Sequence, residues 1–419
     1  MNAIVTALPD ATRLDQPAGD PRHWLLDPQV DFLNHGAFGA SPRQVLEFQN
    51  EWRLRLERQP LQFFVRELEP LLDAARAALA EFVGAEPGNL VFVPNTTTGV
   101  NTVLRSLSFA PGDELLVTNH EYNASRNALD FVAAWSGAQV VVVNIPFPLR
   151  NVDEIIAPVL AGVTSRTRLA LLDHVSSPTG LVLPMERLVS ELAARGVDTL
   201  VDGAHAPGMV PLNLKRLAAT YYTGNCHKWL CAPKGAAFLC VQPGRQKWIR
   251  PLAISHGANS PRTDRSRFLI EFGWTGTGDF SAYLSVPEAV RFMGSLLPGG
   301  WSEIMARNRA LALAARKILC ATLQMDEPCP AEFIGSLAAV PMPDAPPDAW
   351  PIQPANEYPL QTDLRVKHGI EVPIMPWPAP PKRLLRISAQ LYNALPQYER
   401  LARAVICEAG PLARHPEKS

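Results

Sequence analysis

The chain has 419 residues, 39 basic against 40 acidic, for a formal net charge of −1. That balance gives no general electrostatic case for a nucleic-acid or anionic-membrane partner, and 47% hydrophobic against 19% charged residues fits a globular protein with a large core. No apolar run approaches the roughly 18 residues that span a bilayer, and the opening "MNAIVTALPDATRLDQPAGDPRHW" has no basic start followed by an apolar stretch, so a polar arm and a cytoplasmic protein are expected.

Helices and strands alternate from about residue 68. "LEPLLDAARAALAEFVG" sets Leu72, Ala75, Leu79 and Phe82 at helical spacing, with Gly84 as the cap that ends the helix. "NLVFVPN" (89–95) is a short strand, and "NTTTGVNTVLRSLSF" starts with cap-type residues and continues as a helix. Then come strand "ELLVTNH" (114–120), helix "SRNALDFVAAWSG", strand "QVVVVNI" (139–145), helix "VDEIIAPVLAGV" and strand "RLALLDHVSS" (168–177). Helix "MERLVSELAARG", strand "DTLVDGAH" (198–205) and the short strands "YYTGNCHK" and "GAAFLCV" complete the series. Strands without polar alternation, separated by helices, predict an α/β fold: a mostly parallel central sheet with helices on both faces.

Past about residue 285 the texture changes to long helical stretches, two strands ("SLAAVPM", "LLRISAQ") and a closing helix, which predicts a smaller C-terminal α+β domain. The expected division is an arm over 1–30, a large domain over 31–285 and a small one over 286–419. Prolines cluster in "PMPDAPPDAWPIQP" (341–354) and "VPIMPWPAPPK" (372–382), read as ordered extended loops or strand edges. Six cysteines at 226, 231, 240, 320, 329 and 407 form no CxxC, so free thiols are expected rather than a zinc site or a disulfide framework.

In an open parallel sheet, ligands bind at the carboxyl ends of the strands. The hydroxyl residues of "NTTTGVN" and the backbone N–H groups of the helix start could hold a phosphate, or Asn95 or Thr96 could simply cap the helix. Asp202 ends an apolar run in "VDGAHAPG", where a carboxylate needs a cationic or hydrogen-bonding partner, or could be satisfied by neighbouring backbone. Lys228 follows another strand. A partly desolvated lysine becomes nucleophilic, whereas a surface lysine would snorkel to solvent. Together, a phosphate cradle, a strand-end aspartate and a lysine on a later strand match the needs of pyridoxal 5′-phosphate: an anchor, a partner for the ring nitrogen and an amine for the Schiff base.

On "FLNHGAFGASP" (32–42), "DGAHAPG", "YYTGNCHKWLCAPKG" and "RISAQLYN" (386–393), the chain resembles the class-V aminotransferase family of fold-type I pyridoxal-phosphate enzymes, on its isopenicillin N epimerase-like branch. The resemblance implies that the large domain binds the cofactor, that Lys228 forms the Schiff base, and that Asp202 pairs with the ring nitrogen. It puts His205 near the 3′-oxygen, Thr97, Thr98, Asn225 and His227 on the phosphate, and Tyr122 where a ring stacks on the cofactor. It implies that Thr277, in "WTGTGDF", reaches the phosphate in a neighbouring subunit, hence a homodimer with shared sites. Arg386 would bind a substrate α-carboxylate as a planar bidentate fork.

The expected substrate is an amino acid or an amino-acid-derived compound. Its amine would displace Lys228, and the freed lysine would take the α-proton. Return of a proton on the other face, from Tyr122 or His35, gives an epimerase or racemase, which is the first expectation. Loss of a β-substituent gives a C–S β-lyase, the second; reprotonation at the cofactor gives an aminotransferase, the third. Persulfide-forming desulfurases carry a catalytic cysteine before the arginine strand, and "HGIEVPIMPWPAPPKRLLR" has none. Ser177 stands where many relatives have asparagine. A pyridoxal-phosphate-binding regulator is disfavoured, because the N-terminal segment is too short for a DNA-binding module. There is no P-loop, HExxH or GxSxG, and His120–Glu121 lacks a second helical histidine, so no metal is expected.

Overall fold

The computed structural model describes residues 14–346 and 358–409. Residues 1–13 of the expected arm and 347–354 of the first proline-rich stretch lie outside them. The short strand β1 (Asp31–Phe32) precedes seven strands that form the central sheet. These are β2 (Leu90–Val93), β3 (Glu114–Thr118), β4 (Gln139–Val143), β5 (Thr167–Asp173), β6 (Asp198–Asp202), β7 (Tyr221–Asn225) and β8 (Ala237–Val241), in the order β2-β8-β7-β6-β5-β3-β4. All pairs are parallel except the two that β8 makes, with β2 and β7.

Alternate residues of these strands feed two apolar layers, because successive side chains leave a strand on opposite faces. Leu172, Val201 and Tyr222 join one cluster, while Leu171, Leu200 and Tyr221 join the other. With helices over both layers, strands such as "LALLD" need no polar alternation. The helix Thr96–Ser106 buries Val100, Val103 and Leu104 at helical spacing against the sheet. It lies so close that a Cβ on Gly99 would stand 2.1 Å from Thr223 Oγ1.

The C-terminal part contains β9 (Leu337–Met342), β10 (Ile370–Glu371), β11 (Ile374–Pro376) and β12 (Arg383–Ser388). β9, β11 and β12 form an antiparallel sheet in the order β11-β12-β9, and β10 pairs with β1. The second proline-rich stretch is thus the β11–β12 hairpin with its approach. Described residues of the arm pack against this part: Leu14 and Trp24 are buried, and the Ala18 and Gly19 N–H groups donate to the Leu391 carbonyl. One apolar cluster runs from Leu33 through Trp229 and Met293 to Val405, across the expected 285/286 boundary. The topology brings the ends of β3, β5, β6 and β7 to one edge of the sheet, where β12 faces them through Arg386 and Ser177.

Candidate active site

A cavity of about 340 Å³ opens at that edge. Asp173 and Asp202, the last residues of β5 and β6, line it with Asn225, His227 and Lys228 from β7 and its following loop. Pro94, Asn95, Thr96 and Thr97 close one end, and Tyr122, Ser177 and Phe38 contribute further wall. Gly39 lets the N-terminal turn lie against the lysine loop: its φ is +72°, and a Cβ there would stand 2.0 Å from the His227 carbonyl oxygen.

The helix start has the donor arrangement that an anion needs. Asn95 is extended, and its Oδ1 accepts from the Thr98 N–H at 2.8 Å and the Thr98 hydroxyl at 3.0 Å. Asn225 Oδ1 accepts from the Thr96 N–H at 2.9 Å. The Thr97 N–H, in the first turn, has no intrahelical acceptor, and the positive end of the helix dipole adds to it. Asn95 therefore does cap this helix, and the cap is what arranges the donors.

Lys228 Nζ lies 3.1 Å from His205 Nε2, and the Trp229 indole N–H donates to His205 Nδ1 at 3.3 Å. Burial, and then the Arg386 charge, pull the Lys228 ammonium down to about 8, against the opposing pull of Asp202 and Asp173. Burial also lowers His205, with Lys228, Arg386 and His227 adding repulsion, and it brings His227 to about 4. Asp202 is raised by burial, offset by the Ala204 N–H at 3.0 Å, the Ser125 hydroxyl at 2.8 Å and the Lys228 charge.

Two further carboxyls stand beside Asp202. Glu121 and Asp173 each offer an oxygen within 4.8 Å of it and of one another. Burial, then repulsion from Asp202, holds Glu121 well above the ordinary carboxylate range, with its interaction with Asp173 opposing; burial, then repulsion from Glu121 and Asp202, does the same to Asp173. Asp173 was legible by the argument applied to Asp202, since "LALLD" also ends an apolar run on an acid. Glu121, Ser125 and Trp229 carry no such local signal; only the fold brings them here. Lys234 also lines the cavity, its Nζ donating to the Gly39 carbonyl at 2.9 Å.

The other expected site residues divide. Tyr122 lines the cavity and is 44% exposed. Arg386, in β12, is buried; its Nη1 donates to the Ser177 carbonyl at 2.6 Å and hydroxyl at 3.1 Å, while its Nε has no partner. Burial lowers its guanidinium to about 10, and among the described residues no acid pairs with it. Thr98 and Thr277 line a second cavity of about 350 Å³, which adjoins the first at Pro94, so one chain does not bring Thr277 to Lys228. His35 is fully buried under the lysine loop: its Nε2–H donates to the Lys228 carbonyl at 3.1 Å, and its Nδ1 accepts from the Tyr392 hydroxyl at 2.8 Å. Burial lowers it to about 3, so this ring is neutral and committed to holding the loop, not presented to the cavity.

These donors fit pyridoxal phosphate. The helix start, Asn225 and His227 would hold its phosphate, Asp202 would pair with its ring nitrogen, and Lys228 would meet its aldehyde carbon. The buried Thr96 hydroxyl and Asp173 Oδ2, both unpartnered, mark polar positions on the same wall.

The class-V aminotransferase family model matches residues 43–326. The isopenicillin N epimerase of Streptomyces clavuligerus is 36% identical over 91% of this chain and 95% of its own length. A probable chloroplastic L-cysteine desulfhydrase of Arabidopsis thaliana is 32% identical over 90% of this chain and 83% of its own. Among solved structures, a cystine C–S lyase in complex with cysteine persulfide has a TM-score of 0.74 at 22% identity, covering 90% of this chain and 97% of that one. A cysteine desulfurase of Thermococcus onnurineus has a TM-score of 0.73 at 18% identity, covering 90% and 94%. The sheet order, the cavity and these matches agree: the chain belongs to the class-V aminotransferase family and is a fold-type I pyridoxal-phosphate enzyme.

Proposed function

We propose that this enzyme is an epimerase or racemase acting at the α-carbon of an amino acid or an amino-acid-derived compound. One observation carries the reading. The cavity sets Lys228 and Tyr122 among its titratable side chains and has no thiol among its described lining. The identity to isopenicillin N epimerase over nearly the whole chain supports it.

Bound pyridoxal phosphate supplies an electron sink for charge left on the α-carbon. The protein's part is to hold and move protons around it. Asp202, fixed by Ser125 and Ala204, keeps a proton on the ring nitrogen. Lys228, whose ammonium loses its proton at about 8, serves as base on one face. Arg386, aimed by Ser177, holds the substrate carboxylate so that the α-hydrogen points at Lys228. Tyr122 lines the same cavity and returns a proton on the second face. Thr277 completes the phosphate site of a partner subunit, which makes the enzyme a homodimer with shared sites.

The second reading is a C–S β-lyase, favoured by the desulfhydrase relatives. One experiment separates them. Enzyme and panels of amino acids and dipeptides are incubated in heavy water and followed by chiral chromatography and mass spectrometry. Inversion with gain of one deuteron and no loss of mass supports the epimerase. Pyruvate with ammonia overturns it for a lyase, and a keto acid with pyridoxamine phosphate overturns it for an aminotransferase.

A further inference from the structure

We infer that Trp229 is a positioning residue: its indole N–H fixes the proton of His205 on Nε2 and thereby favours the neutral amine of Lys228 over its ammonium. The inference rests on Lys228 being the lysine that takes the cofactor. It follows from counting protons on one ring.

A neutral imidazole has one N–H and one lone pair, and an indole nitrogen can only donate. Trp229 is buried, and its Nε1–H points at His205 Nδ1 from 3.3 Å, so Nδ1 is the acceptor. The single ring proton then sits on Nε2. That nitrogen faces Lys228 Nζ at 3.1 Å. An ammonium has no lone pair, so an ammonium there would set donor against donor. The contact is a hydrogen bond only when Nζ is an amine that accepts. A doubly protonated His205 is ruled out by the same indole, and by the positive charges of Lys228, Arg386 and His227 around it.

The surrounding groups divide. Asp202 at the end of β6 and Asp173 at the end of β5 favour the ammonium. Arg386 on β12 opposes it, as does the loss of water on burial. His227 and Lys234 on the same loop, and His35 beneath it, add no negative charge. The carboxyls thus pull Lys228 towards a form that cannot attack a carbonyl carbon, and the Nε2–H counters them with a donor that only the reactive form can accept. With the cofactor bound, the same proton would make His205 a donor, rather than an acceptor, towards the 3′-oxygen that the family resemblance puts near it. Trp229 touches neither substrate nor cofactor in this account and acts through His205.

The test uses the full-length chain and two readouts. Long-range 15N NMR of histidine-labelled protein, with His205 assigned through His205→Gln, reports which ring nitrogen carries the proton. The expected result is the Nε2–H form in the parent and the Nδ1–H form in Trp229→Phe. The second readout is the rate at which the cofactor-stripped chain recaptures pyridoxal phosphate, followed by absorbance across pH. In Trp229→Phe, His205 Nε2 can accept from the ammonium, so the midpoint of that profile should rise by about one pH unit, roughly a tenfold slower capture below it. A parent His205 found in the Nδ1–H form overturns the inference even if the variant fails to fold. A folded Trp229→Phe with an unmoved pH midpoint also overturns it. Borohydride labelling of a lysine other than Lys228 sinks the underlying assignment instead, and leaves the NMR result standing by itself.

Discussion

Asn225 Oδ1 accepts the backbone N–H of Thr96 at 2.9 Å and so ties the end of β7 to the first turn of the helix after β2. These strands are separated in the sheet by β8. The bond sets the distance between the first turn of that helix and the loop that carries Lys228.

Asn225→Ala should therefore weaken cofactor binding while leaving Lys228 competent. It strips a buried N–H of its acceptor and removes a donor from the phosphate end. The expected loss in cofactor affinity is about tenfold, on the order of 1–2 kcal/mol. Equilibrium dialysis against pyridoxal phosphate measures it, and unchanged affinity would remove Asn225 from the phosphate site.

Lys228 should be the residue that borohydride fixes to the cofactor, read by peptide mapping. It also predicts a pH dependence in the cofactor-free chain. Its folded value of about 8 lies below the ordinary 10.5, so between these values the unfolded chain binds more protons. Stability should rise with pH across that window, because the cost of burying the ammonium is present below about 8 and is relieved above it. Chemical denaturation of parent and Lys228→Met at several pH values checks the sign; the variant should lack that part of the slope.

Arg386→Lys keeps a positive charge but loses the planar fork that Ser177 aims. The expected loss in kcat/KM is on the order of 100-fold, about 3 kcal/mol, with nearly normal cofactor absorbance. A folded variant that turns over substrate like the parent would contradict the carboxylate role.

Tyr122→Phe should uncouple exchange from inversion. Lys228 still removes and returns the α-proton on its own face, so substrate should gain deuterium from heavy water with its configuration retained. Inversion should fall by at least ~100-fold, within the range for loss of a general acid or base. Equal loss of exchange and inversion would place Tyr122 in binding instead of proton return.

Thr277 lines a cavity separate from that of Lys228 within one chain. Mixing Lys228→Ala with Thr277→Val chains should restore activity, because one hybrid site then has both residues intact. Heterodimers that form, bind cofactor and stay inactive would refute shared sites.

The alternation of strands and helices, and with it the layered fold, was present in the order of apolar runs. Strands buried on both faces must be apolar throughout, and helices carry their buried side chains three and four apart. Asp202 and Lys228 were legible for a related reason: a charge at the end of an apolar run is costly unless something nearby uses it. The family motifs added Thr97, Asn225, His227 and Arg386, four positions drawn from three distant parts of the sequence. What the linear order could not show is which side chains face each other across strand ends. The motif containing His35 drew attention to its ring, yet both its nitrogens are spent on Tyr392 and the Lys228 carbonyl. Trp229 is core, but its one polar atom meets His205. Glu121 and Asp173 converge on Asp202 only because β3, β5 and β6 lie side by side and parallel. Composition and periodicity determine which face of an element is buried, since burial is a property of each residue. Hydrogen bonds and charge coupling are properties of pairs at a few ångströms, and here only the tertiary fold set those pairs.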